Sequence, residues 1–76
     1  MKIQYMKQPI KFLSKQDANT RKRLRAAIEN LPYGDVKKLQ GREGYRLRVG
    51  DFRVIFDSDG NVILIVRIDS RGQIYK

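Results

Sequence analysis

The sequence predicts an α+β fold in which an N-terminal strand and an αα-hairpin pack on one face of an antiparallel β-sheet meander. Two observations predict it. Apolar residues recur at helical spacing through the first half and alternate at strand spacing from Tyr45 onward. The helical and strand segments are also segregated along the chain, rather than alternating as parallel α/β units do. Seventy-six residues make one domain, spanning 1–76. A chain this short buries only roughly 60% of the surface its unfolded form exposes, so its core is thin.

Each element has its own signal. Ile3 and Tyr5 alternate within Lys2 to Lys7, which fits a first strand. Pro9 suits the first turn of a helix, where its missing N–H costs little. Ile10, Phe12 and Leu13 give that helix an apolar side, and it ends near Lys15. Asp17 is an N-cap for a second helix. Leu24, Ala27, Ile28 and Leu31 follow at i, i+3, i+4 and i+7, and Pro32 and Gly34 stop the helix. Asp35 to Gly44 reads as a loop. Tyr45, Leu47 and Val49 then alternate with Arg46 and Arg48. Gly50-Asp51 forms a two-residue II′ turn, whose first position needs positive φ. Phe52, Val54 and Phe56 alternate with Arg53, Ile55 and Asp57, and Ser58 to Asn61 turns again. Val62 to Ile68 is apolar on both faces and reads as a central strand. The tail from Ser70 to Lys76 turns, with room for a short final strand.

Charge is the strongest compositional signal. Seventeen Lys and Arg against eight Asp and Glu give a formal charge of +9. That balance favours a polyanionic partner such as RNA, DNA or an acidic protein, and it also serves solubility. Cysteine and histidine are both absent. Their absence removes the ordinary zinc site, the thiolate nucleophile and every imidazole acid or base. No cofactor or metal is expected, and catalysis must run on Arg, Lys, Tyr, Ser, Asp or Glu. The N-terminus has no uninterrupted apolar core followed by small residues, and the longest apolar run is far short of a membrane span. A cytoplasmic protein with no membrane partner is expected.

The hairpin supports a geometric expectation. With Gly50 and Asp51 as the loop, Val49 pairs with Phe52 and Arg48 lies opposite Arg53, with Cβ atoms about 4.5–5.5 Å apart. Arg46 sits two residues along on the same face, while Tyr45, Leu47, Val49, Phe52, Val54 and Phe56 share the face that carries the helices. Opposed like charges are destabilising, and an anion held between them would offset this. Guanidinium forks donate paired hydrogen bonds to phosphate and stay charged at any working pH. Three on one face suit a scissile phosphate. The same spacing also fits a solvated face with each Arg lying over apolar neighbours. Arg71 and Tyr75 form a second cluster, Tyr75 as a proton-transfer group beside arginines or as an aromatic closing the sheet edge. Lys11, Lys15, Arg21, Lys22 and Arg25 make a helical basic surface, either gripping a nucleic-acid backbone or simply solvated.

Lys38-Leu39-Gln40-Gly41, followed by Gly44 to Phe56, resembles the core of RelE-type toxins of the RelE/ParE superfamily, from bacterial toxin–antitoxin modules. The ending Ile68 to Tyr75 is similar to that family's closing segment, commonly I-x-H-R-x-x-V-Y. The resemblance implies a RelE-like microbial RNase-type fold and a ribosome-dependent mRNA endonuclease, neutralised by a cognate antitoxin. Its substrate would be mRNA on the ribosome, with contacts to 16S rRNA. It implies attack by a 2′-hydroxyl on the adjacent phosphate, giving a 2′,3′-cyclic phosphate and a 5′-hydroxyl. Arg46 and Arg48 match the family's basic pair, and Arg53 the arginine that steadies the phosphate. Arg71 matches the residue assisting the leaving oxygen, and Tyr75 the base. Ser70 stands where His is common, and Gly72-Gln73 replaces a more charged stretch. A ParE-like inhibitor of DNA gyrase and a catalytically silent RNA- or antitoxin-binding module are the alternatives on the same fold.

Overall fold

The computed structural model describes residues 2–70. The elements are β1 (Lys2–Tyr5), α1 (Lys7–Ser14), α2 (Ala18–Glu29), β2 (Asp35–Lys38), β3 (Tyr45–Val49), β4 (Phe52–Ser58) and β5 (Val62–Ser70). The five strands form one sheet in the order β1-β5-β4-β3-β2. Both helices lie on one face of it, as expected. Two expectations need correction. The sheet is mixed, because β1 runs parallel to β5, from Lys2 beside Val62 to Tyr5 beside Ile65. Asp35 to Lys38 is an edge strand rather than loop, antiparallel to β3. The tail after Ser70, with its short final strand, lies outside the described residues.

The α2 stripe builds the core. Leu24 and Ile28 are fully buried, and Leu31 just beyond the helix is nearly so. They meet Leu13 of α1 and the sheet residues Leu47, Val54, Phe56, Ile63, Ile65 and Ile68. Fully burying a side chain of this size contributes about 1.5–3 kcal/mol. Pro9 sits in the first turn of α1 and is itself fully buried. Arg21 of α2 ties the two helices together. Its Nη1 donates to the Gln16 carbonyl at 3.0 Å and the Leu13 carbonyl at 3.4 Å, at the C-terminal end of α1, where a cation offsets the exposed carbonyls.

Two devices set β5. The first is an irregularity: Ile55 pairs with Arg67 but Phe56 pairs with Ile65, so Val66 is an extra residue on β5. This bulge lets Ile65 and Ile68, three apart, both point at the helices. The second is Gln8. β1 ends at Tyr5, leaving the rest of the β5 edge without a strand beside it. The Gln8 carboxamide stands in for one, with Nε2 donating to the Ile68 carbonyl at 2.8 Å and Oε1 accepting the Ile68 N–H at 2.8 Å.

Candidate phosphate-binding face

The β3–β4 hairpin has the register its sequence dictates. Val49 pairs with Phe52 and Arg48 with Arg53. Gly50 has φ 58°, and no non-glycine residue has positive φ among those described, as a II′ turn requires. Leu47, Val54 and Phe56 are buried under the helices, and Tyr45, Val49 and Phe52 pack against the same core. Arg46, Arg48 and Arg53 therefore project together from the opposite face.

The flanking strands add what the hairpin alone does not contain. Across the sheet, one row reads Asp35, Arg48, Arg53, Asp69. The next row reads Lys37, Arg46, Ile55, Arg67. Arg48 Nε donates to Asp35 Oδ2 at 3.0 Å, with both side chains well exposed. Arg67 Nε reaches both Asp69 oxygens, at 2.9 and 3.1 Å. The opposed Arg48 and Arg53 thus have a carboxylate beyond each of them, so the fold itself offsets their repulsion without requiring a bound anion. Between these ion pairs, Arg46 and Arg53 have no salt-bridge partner among the described residues. The Nε of each is buried and meets no hydrogen-bond acceptor among the described residues. Two uncommitted guanidiniums at the centre of a cationic face can hold one phosphodiester and offset charge building on its oxygens.

The helical cations are not part of this face. Lys11, Lys15, Lys22 and Arg25 are exposed on the helix side of the sheet. Arg21 is committed to the end of α1. Arg23 lies with its guanidinium 5.8 Å from the Phe52 ring centroid, itself edge-on to Phe12. The Tyr5 phenol is pushed above its ordinary pKa chiefly by burial, with Arg25 working against that shift and Glu29 adding to it. Arg71 and Tyr75, the expected leaving-group and base residues, lie outside the described residues.

A family model described as the ParE toxin of the type II toxin–antitoxin system parDE matches residues 3–75. The chain belongs to the RelE/ParE toxin family. It is 31% identical over 84 residues to Toxin RelE3 of Methanocaldococcus jannaschii, an alignment covering 99% of this chain and 96% of that protein. Among solved structures it resembles the toxin of a RelB–RelE antitoxin–toxin complex from Methanococcus jannaschii, with TM-score 0.76 and 31% identity over 95% of this chain and 94% of that one. A RelE–RelB complex from Pyrococcus horikoshii OT3 gives TM-score 0.73 and 31% identity, covering 95% and 96%. Among the described residues, no helix is long and apolar enough to cross a membrane.

Within this RelE/ParE toxin, three of the residues expected from the sequence come together: Arg46, Arg48 and Arg53. Ser70 pairs with Phe52, so it leaves the sheet on the helix side. Asp35, Arg67 and Asp69 belong to that face and were not expected from the sequence. The i, i+2 spacing of Arg67 and Asp69 was a usable signal, hidden by reading Val62 to Ile68 as apolar on both sides.

Proposed function

We propose that this RelE/ParE toxin is a ribosome-dependent mRNA endoribonuclease, held in check by a cognate antitoxin. Arg46 and Arg53 grip the scissile phosphate from the centre of the sheet face, and Arg48 steadies it from the side. Tyr75 takes the proton from the 2′-hydroxyl as that oxygen attacks phosphorus. The P–O5′ bond breaks, and Arg71 offsets the charge on the departing oxygen, which takes a proton from solvent to become the 5′-hydroxyl. The other product end is the 2′,3′-cyclic phosphate. The observation that carries this reading is the pair Arg46 and Arg53, which among the described residues have no salt-bridge partner and no acceptor for their Nε atoms. The exposed cations of the helices offer a separate surface that an acidic or amphipathic antitoxin segment can wrap. The resemblance to toxins solved in RelB–RelE complexes supports such a partner.

The test is induction in translating cells followed by primer extension on mRNA. The parent protein should give new 5′ ends within ribosome-bound codons. Arg53→Gln should lower the cleavage rate by about 10²–10³, the usual cost of one transition-state donor, with the fold intact. Tyr75→Phe should abolish toxicity. If the parent produces no cleaved mRNA, the nuclease reading fails. The parDE description of the matching family favours gyrase inhibition as the second reading. Loss of supercoiling activity in purified gyrase, without RNA cleavage, would select it.

A further inference from the structure

We propose that Arg67 is a positioning residue for phosphate binding at Arg53, acting by holding Asp69 away from it. The inference rests on the phosphate-binding reading of the arginine face. Asp69 lies directly across from Arg53 in the β4–β5 register. Cross-strand partners of this kind have Cβ atoms about 4.5–5.5 Å apart, within easy reach for a carboxylate and a guanidinium. The other end of the same row shows what such a pair does when nothing intervenes. Asp35 stands across from Arg48 in register and binds it at 3.0 Å.

Asp69 does not bind Arg53. Both its oxygens are taken by Arg67 Nε, at 2.9 and 3.1 Å. Arg67 can do this because it is two residues from Asp69 on the same strand and so shares its face. The equivalent neighbour of Asp35, two residues along β2, is Lys37, which makes no ion pair with it. One row thus has an arginine neutralised by its cross-strand carboxylate, and beside it an arginine with no carboxylate partner among the described residues, because a second arginine has captured the one across from it. Asp69 is also the less exposed of that pair, at 21% against 58% for Arg67, so it sits low on the sheet, across from Arg53. Without Arg67, the carboxylate turns to Arg53, and an incoming phosphate has to displace it.

The experiment is a charge-reversible cycle read by RNA affinity. The probe is a short single-stranded RNA carrying 2′-deoxy positions so that it is not cut, titrated against the full-length protein. Arg67→Gln should weaken binding by about two- to fivefold, the usual effect of one exposed ion pair on an equilibrium. Asp69→Asn alone should bind at least as tightly as the parent, and Arg67→Gln with Asp69→Asn should return to the parent value. Arg67→Gln with Asp57→Asn restores the same net charge from another exposed position on this face. It should stay weak, which separates capture of Asp69 from a general charge effect. In arginine side-chain NMR spectra, the Arg53 Nε–H resonance should move in Arg67→Gln and move back in the double variant carrying Asp69→Asn. With ordinary RNA the loss should fall on KM rather than kcat.

An unchanged affinity in Arg67→Gln overturns the proposal. So does a loss that Asp69→Asn does not repair, because Arg67 would then be touching the RNA itself. Equal rescue by Asp57→Asn overturns it in favour of net charge. Failure of the parent to bind the probe defeats the phosphate reading and this inference together, and that control is read before any variant.

Discussion

Replacing Gln8 with methionine removes two hydrogen bonds from the fold while nearly preserving the length and volume of the side chain. The carboxamide meets the Ile68 carbonyl and the Ile68 N–H at 2.8 Å each. Ile68 is fully buried, so water cannot readily take the place of the lost partner. Each bond contributes about 1 kcal/mol net, and each backbone group left unsatisfied costs about 1–3 kcal/mol. A loss of about 2–4 kcal/mol follows for the pair. Total stability for 76 residues is roughly 4–11 kcal/mol, so the change is a large fraction of it. In a domain of this size about 4–8 °C of Tm is lost per kcal/mol, which puts the drop at about 8–32 °C. Thermal and urea unfolding followed by far-UV circular dichroism measure it. A Tm within about 3 °C of the parent would refute the reasoning, because the edge of β5 would then be satisfied without the carboxamide.

Three further outcomes follow from the same geometry. Gln8→Glu should show a pH dependence that Gln8→Met lacks. The ionised carboxylate accepts from Ile68 N–H but cannot donate to the carbonyl, whereas the protonated acid can do both. Its folded pKa is therefore raised above the ordinary value of about 4.3. Stability is fully present below that value and is lost as pH rises through the folded pKa, so the Tm gap to the parent should be small near pH 4 and wide at pH 7. Asp35→Asn should cost less than about 1 kcal/mol, because the Arg48 pair it breaks is exposed, yet it should tighten RNA binding and steepen its salt dependence as Arg48 becomes available. Asp59 is held below the usual carboxylate range by the backbone N–H groups of Val62 and Asn61. Its contribution is thus present above about pH 4 and is lost as pH falls through the depressed value. The Tm difference between the parent and Asp59→Ala should be widest near neutrality and close in acid.

The hairpin was legible because two local rules over-determine it. Alternation assigns Tyr45 to Val49 and Phe52 to Phe56 their faces, and the Gly50-Asp51 turn fixes which residues oppose one another. The α2 stripe was legible for the same reason, since its period reports directly which side is buried. β2 had no such signal. Asp35-Val36-Lys37-Lys38 offers one half-buried apolar residue among three charged ones, and what makes it a strand is hydrogen bonding to β3. The parallel pairing of β1 with β5 joins residues sixty apart, and nothing within either strand specifies its direction.

The arginine face shows why partial legibility can mislead about chemistry. Arg48 and Arg53, taken from the hairpin alone, are opposed like charges whose proximity calls for a ligand. The full sheet supplies Asp35 on one side and Asp69 on the other, each delivered by a strand whose place in the order the hairpin does not encode. Repulsion between two arginines is therefore weak evidence for a phosphate site. What points to one is the asymmetry of the neutralisation. Arg48 is paired, Arg67 is paired, and between them Arg46 and Arg53 bury their Nε atoms without an acceptor among the described residues. Here both carboxylates of the row are held by Arg48 and Arg67, and among the described residues none is left for Arg46 or Arg53.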